Sequence, residues 1–209
     1  MIHLTHKLPN NNEFYIACSG GVDSISVLHW LSRSKRLPKA LLYVHHNTGD
    51  YADTAEQLVK HTAMQFNVAV YTHYIVAKPN KGDSKESWWR DERYNYFNSF
   101  KDFPIILAHN LDDCVEQYIM STLIRLKKYN LIAYHGPSNT IRPFRTWKKS
   151  EIYDYAKKNN LNWIEDPSNT NNSFVRNKIR NIIVPQLLKI NPGLYSQIKS
   201  MIINEKNSI

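Results

Sequence analysis

The residues Ser19-Gly20-Gly21-Val22-Asp23-Ser24 follow an apolar run, Phe14-Tyr15-Ile16-Ala17-Cys18, and open a helical pattern over 23–35. A strand, a glycine turn carrying an acid and a helix start together make a seat for a polyphosphate. Gly20 and Gly21 tolerate positive φ and let backbone N–H groups close on an anion. The helix dipole adds attraction, and the Ser19 and Ser24 hydroxyls add hydrogen bonds. Asp23 repels bare phosphate, so its use in such a seat is a magnesium ion bridging the phosphates. The plain structural alternative is a tight turn with Asp23 capping the helix. A Walker loop would need a lysine beside the last hydroxyl, and no lysine follows Gly21.

A second constellation, His109-Asn110-Leu111-Asp112-Asp113, ends another apolar run and opens another helical pattern. Glu116 shares the helix face of Asp112 and Asp113. Three carboxylates at one helix start form a second wall for magnesium. His109 is placed to touch a phosphate or a reacting base. Capping by Asp112, with Asp113 and Glu116 as first-turn acids, is the structural alternative. Arg90 and Arg93 are spaced to flank a phosphate from one helix face. Arg176, Lys178 and Arg180 give a basic helix start, suited to an anionic partner or to tying the tail to the core. Glu165 and Asp166 suit an ammonium group or the fixing of their own loop. Trp88, Trp89, Trp147 and Trp163 read as core residues.

The elements that must position these groups alternate. Short apolar runs at Phe14–Cys18, Ala40–His45, Val68–Tyr74 and Pro104–Ala108 read as buried strands. Helical patterns at 23–35, 52–66, 84–100 and 112–127 separate or follow them. Alternation of this kind predicts an α/β fold with a parallel sheet, right-handed crossovers and ligands at the carboxyl ends of the strands. From about Thr140 the texture changes to a helix from Ser150 to Asn160, a polar loop over Glu165–Ser173, a basic helix from Val175 and a last helix beyond Pro192. A single domain over 1–209 is expected, with an α/β core at 1–145 and a helical extension at 146–209.

The 209 residues carry a formal charge of +9, which favours a polyanionic partner such as RNA. No apolar stretch reaches membrane-spanning length, so no membrane partner is expected. The start of the chain has no signal-like apolar region, and the 2 cysteines, Cys18 and Cys114, form no C-x-x-C pair. A cytoplasmic setting without disulfides is expected.

Ser19–Ser24 resembles the PP-loop of the ATP pyrophosphatase superfamily, and five further blocks resemble the tRNA(Ile)-lysidine synthetases. His109-Asn110-Leu111-Asp112-Asp113-Cys114-Val115-Glu116-Gln117 is similar to H-x-x-D-D-Q-x-E-T. Glu86 to Tyr94 is similar to E-x-x-A-R-x-x-R-Y, with Trp89 at the small residue. Arg142-Pro143-Phe144 resembles R-P-L. Trp163 to Asn169 matches W-x-E-D-P-S-N, and Phe174 to Arg180 matches F-x-R-N-x-[IL]-R. Val44-His45-His46-Asn47-Thr48-Gly49 stands where that family has H-V-D-H-G-L.

The resemblance implies a Rossmann-like domain of the adenine nucleotide alpha hydrolase type, corresponding to the family's catalytic part. It implies ATP and Mg2+ as cofactors, the metal held by Asp23 and Asp113, and free lysine and an isoleucine tRNA with a CAU anticodon as substrates. The reaction would adenylate the wobble cytidine and let lysine displace AMP. Ser19, Gly20, Gly21, Val22, Asp23, Ser24, His45 and Arg90 would bind ATP, with adenine near the end of the Tyr43–His46 strand. Asp23, His109, Asp113, Glu116 and Arg176 would be catalytic, with Glu116 a candidate base for the lysine amine. A thiolase-like tRNA enzyme and a non-catalytic nucleotide- or RNA-binding module are the alternatives. The oligomeric state stays open, a homodimer being one option.

Overall fold

The computed structural model describes residues 3–76, 85–123 and 137–205. Five parallel strands form one sheet: β1 (Tyr15–Ala17), β2 (Ala40–His45), β3 (Ala69–Tyr74), β4 (Ile105–Ile106) and β5 (Thr140–Ile141), in the order β3-β2-β1-β4-β5. The four expected strands are present, some shorter than their apolar runs. β5 was not expected; two half-buried residues leave too little pattern to read.

Alternate side chains serve opposite faces, as the pleat requires. Ile16, Leu41, Tyr43 and Ile106 pack with α1 (Val22–Arg33), α2 (Asp50–Gln65) and α5 (Lys149–Lys158). Tyr15, Leu42, Val44 and Ile105 face the other way, against α3 (Lys85–Asn98). Every residue of β2 is buried, which explains its unbroken apolar reading. α3 falls within the expected 84–100; the helix expected at 112–127 is α4 (Leu111–Leu123), and 124–127 lie outside the described residues.

The strand order reverses between β1 and β4, and the loops after these two strands meet at that point. This is where open parallel sheets bind ligands. After β5 come α5, a short 3-10 turn (Pro167–Thr170), α6 (Val175–Lys178), a π turn (Ile179–Ile183), α7 (Val184–Ile190) and α8 (Leu194–Glu205). The tail has its own apolar seam, in which Ile198 and Ile202 meet Leu111, Val115 and Ile119 of α4. Among the described residues, no helix is long and apolar enough to cross a membrane.

Ile202 is fully buried in that seam. Ile202→Ala is expected to cost about 2–5 kcal/mol, because the cavity beside α4 cannot close. Urea denaturation measures it; a loss below ~0.5 kcal/mol would mean that α8 does not hold the tail.

Candidate active site at the ends of strands β1 and β4

The Ser19–Ser24 loop is built by its own hydrogen bonds. Ser19 N–H donates to Ser24 Oγ at 3.2 Å, Ser24 Oγ donates to Gly21 O at 3.1 Å, and Gly21 N–H donates to Ser19 Oγ at 3.4 Å. Gly20 has φ +80°, a backbone angle that calls for glycine, and it packs against α2, where a Cβ would stand 3.4 Å from Ala55 O. Gly21 instead has an ordinary φ of −76° at the cap of α1. Thus only Gly20 takes the positive φ anticipated for both.

Asn110 joins this loop to the start of α4. Its Nδ2 donates to Asp23 Oδ1 at 3.0 Å, its N–H donates to Asp113 Oδ2 at 3.0 Å, and its Oδ1 accepts from Asp113 N–H at 3.0 Å. Asn110, not Asp112, therefore caps α4. The other oxygen of Asp23 accepts from Lys149 Nζ at 2.6 Å. Burial, and to a lesser degree Asp113, raise the Asp23 pKa against the pull of Lys149. Burial works the same way on Asp113, yet Arg176 and its other partners outweigh it and hold that carboxyl below its usual range.

His109 lines the cleft on the β4 side. Its Nδ1 accepts from Arg142 Nε at 3.0 Å. A guanidinium only donates, so the neutral ring carries its proton on Nε2 and offers a donor there. Burial above all, with Arg142 assisting and Asp113 opposing, pushes the His109 pKa down to about 3. His109 is thus fitted to donate to an anion rather than to take a proton at neutral pH.

The cleft has a volume of about 230 Å³ and is walled by Ser19, Asp23, His46, Arg93, His109 and Asp113. A second hollow of about 310 Å³ lies on the other side of α4, between Asp112, Lys148 and Tyr195, away from the loop and His109.

Several expected site residues stand elsewhere. Val22 is buried in the core, so only its backbone can serve a ligand. Ser24 lines the cleft, but its hydroxyl is spent inside the loop. His45 lies buried with both ring nitrogens in use, on Asn47 at 3.0 Å and Asp53 at 3.0 Å. His46 lines the cleft in its place, against Trp89, with a buried Nδ1 that has no hydrogen-bond partner among the described residues and a pKa pushed by burial to about 4. Arg90 is 54% exposed and pairs with Asp91 at 3.8 Å, outside the cleft; Arg93, one helical turn on, lines it. The two do not share a phosphate-facing position.

The expected carboxylate wall is also split. Asp112 turns away, accepting from Lys149 N–H at 2.7 Å and Tyr195 Oη at 2.8 Å. Glu116 is buried, and both its oxygens accept from arginines: Arg176 Nε at 2.8 Å, Arg180 Nε at 2.5 Å and Arg180 Nη2 at 3.0 Å. A carboxylate so engaged is an anchor, not a free base. Arg176 also donates to Asp113 at 2.9 Å. Thus Arg176 and Arg180 tie the tail to the core, while Lys178 is exposed.

The polar loop lies across the glycine turn. Ile164 N–H donates to Gly20 O at 3.1 Å. Glu165 accepts from Tyr153 Oη at 2.8 Å and Trp163 Nε1 at 2.9 Å, so it fixes the loop; Asp166 caps the 3-10 turn through Ser168 N–H at 2.8 Å. Asn177 clips the loop to α6 through Ser168 O and Asn171 O.

For magnesium, the donors facing the cleft are Asp23 and Asp113, and among the described residues no three metal-ligating side chains converge. Two carboxylates suit an ion that brings its remaining oxygens from phosphates and water. The pair therefore fits an ion arriving with a nucleotide, not a resident one.

Residues 2–187 match the PP-loop domain family. The chain belongs to the PP-loop family. It is 32% identical over 197 residues to the tRNA(Ile)-lysidine synthase of Haemophilus ducreyi, covering 89% of this chain and 44% of that protein. It is 31% identical over 189 residues to the tRNA(Ile)-lysidine synthase of Neisseria meningitidis serogroup B, covering 85% and 44%. The chain thus spans a little under half the length of these relatives. Among solved structures it resembles the U34-tRNA thiolase NcsA of Methanococcus maripaludis, with its [4Fe-4S] cluster, at a TM-score of 0.72 and 18% identity, covering 97% of this chain and 74% of that one. The NH3-dependent NAD synthetase of Campylobacter jejuni gives 0.54 and 16%, covering 95% and 87%. These likenesses show the fold of the PP-loop domain.

His109 is expected to stay neutral at pH 5 with its proton on Nε2, read from imidazole 15N shifts assigned against His109→Gln. An unfolded ring, with a pKa of about 6.5, protonates first on acidification. The stability His109 lends is therefore complete above about pH 6.5 and drains away as pH falls toward its folded value. A folded-state midpoint near 6.5 would refute the Arg142 lock.

Proposed function

We propose that this protein is a tRNA(Ile)-lysidine synthase working in the cytoplasm, using ATP to join free lysine to the wobble cytidine of an isoleucine tRNA with a CAU anticodon. The observation that carries this reading is Arg176 bonded to both Asp113 and Glu116. It binds the Phe174–Arg180 block, which nucleotide chemistry alone does not require, to the wall of the PP-loop cleft. The similarity to curated lysidine synthases supports the same reading.

ATP seats its phosphates on the Ser19–Ser24 amides at the start of α1, with its base toward His46 and Arg93. Asp23 and Asp113 would hold Mg2+, which would supply charge neutralisation for the departing pyrophosphate. The cytosine carbonyl oxygen attacks the α-phosphorus and pyrophosphate leaves; the Nε2–H of His109 donates to the phosphoryl oxygens as charge builds on them. The ε-amine of lysine then attacks the adenylated carbon, AMP leaves with the oxygen, and the amine gives up its protons. Glu116, whose oxygens both accept from arginines, does not suit that last step.

A thiolase-like chemistry would call on a reactive thiol. Cys18 lines the cleft, but burial raises its pKa and keeps it a thiol. Cys114 lies in the apolar seam of the tail.

Labelled lysine, ATP, magnesium and CAU-anticodon isoleucine tRNA test the proposal. Incorporation is expected with the wild type and should fall at least about a thousandfold in Asp23→Ala, in keeping with loss of a charge-stabilising group. ATP consumption without lysine incorporation would assign another nucleophile.

A further inference from the structure

We propose that the outer face of the tail, from the loop above the glycine turn to the hollow between α5 and α8, is the surface on which the RNA backbone docks. The proposal rests on the RNA substrate of the reading above and gives that substrate a place on the chain.

From Pro167 to Asn204 the sequence holds no Asp or Glu, although the whole chain carries 18 acidic residues. The same stretch holds Arg176, Lys178, Arg180, Lys189 and Lys199. The two arginines are taken up by Glu116 and Asp113, so they hold the tail in place and do not serve its surface. The lysines are left for the surface: Lys178 and Lys189 are exposed, and among the described residues no carboxylate pairs with either. Asn181, one turn on from Lys178, donates to Asn169 O at 3.2 Å and Asn172 Oδ1 at 2.8 Å. Lys178 thus stands beside the loop that crosses Gly20.

At the far end, the hollow of about 310 Å³ is lined by Lys148, Ser150, Tyr195 and Ser196, from the starts of α5 and α8. The acid in its wall, Asp112, has one oxygen on Lys149 N–H and the other on Tyr195 Oη. The exposed Lys148 holds its ammonium 5.3 Å from the centroid of the Tyr195 ring. Lys189 and Lys199 follow the lining residues Leu188 and Ser196 by one position and by one turn. Lysines and hydroxyls around such a hollow suit a phosphodiester.

Charge complementarity selects the partner. A nucleic-acid backbone presents a row of phosphates, and an acid-free face meets it with lysines and releases its counterions. Val175, Ile182 and Ile190 are exposed on the same stretch, but singly, with lysines between them. Scattered apolar side chains need no partner, and protein interfaces are depleted in lysine.

Filter binding of the CAU-anticodon isoleucine tRNA over a range of salt, to wild type and to the triple variant Lys148→Gln/Lys178→Gln/Lys189→Gln, tests the surface. The variant should weaken the tRNA about tenfold or more and flatten the slope of log affinity against log salt by about 2, as loss of phosphate contacts requires. Its ATP affinity, measured by calorimetry, should stay within about twofold, because none of the three lysines lines the cleft. Unchanged tRNA affinity and slope would overturn the proposal. So would lost self-association with tRNA binding intact, which would make the face a contact between copies. A wild type that binds ATP but no tRNA would remove the RNA reading itself. In the unmodified protein, tRNA and not ATP should protect Lys148, Lys178 and Lys189 from reductive methylation, while the exposed Lys35 and Lys101, ahead of β2 and β4, stay reactive. Equal reactivity of Lys178 with and without tRNA would count against the proposal whether or not the variant folds.

Discussion

Glu116, on the buried face of α4, has 2% of its side chain exposed and two guanidinium groups closing on its oxygens. A carboxylate taken that far from water persists as an ion only when paired and fully hydrogen-bonded, and stripping one partner from such a cluster typically costs about 3–5 kcal/mol. The rest of the site hangs on this cluster. It fixes the rotation of the Arg176–Arg180 helical segment, which sets Arg176 against Asp113, which in turn keeps Asp113 ionised opposite Asp23. Asn177, between the two arginines in sequence, then clips the loop that crosses Gly20. One buried charge thus sets the tail, the loop above the phosphate seat and the electrostatics of the cleft.

Two carboxylates joined by a single asparagine end in opposite states. Asp113 is surrounded by donors and a guanidinium; Asp23 has one lysine and more burial than that lysine offsets. Such divergence leaves one acid firmly ionised beside a neighbour whose pKa burial has raised. Burial, with Arg142 assisting, keeps His109 neutral, so the cleft holds a neutral donor for anions beside two acids in different electrostatic settings. The division of labour comes from what each side chain leans on, not from residue type.

Motifs told where chemistry lies but not which atoms face it. The glycine turn, the acid-rich start of α4 and the parallel order of β1 to β4 were legible because period and apolar runs are local signals. Which of two neighbours enters the cleft was not. His45 and His46 alternate across a strand, and the sequence does not give the face. Arg90 and Arg93 are a helical turn apart, and the rotation of α3 is set by packing. Lys149 and Arg142 escaped notice because their partners, Asp23 and His109, lie 126 and 33 residues away. The Arg142-Pro143-Phe144 block did mark the place without its task. Glu116 misled because a lone acid near a helix start gives no sign of arginines that arrive from the tail.

The π turn at Ile179–Ile183 separates two helical stretches with different obligations. Arg176 before the turn and Arg180 within it both reach Glu116; downstream, Val184 must point into the apolar seam. Regular winding advances about 100° per residue, so one residue more or fewer would swing one set away from its target. The wide turn acts as a phase shifter, absorbing a residue without unwinding the helix. Shortening it by one residue would put the ionic lock and the oily seam out of step, so the length of that single turn is inherited on behalf of both.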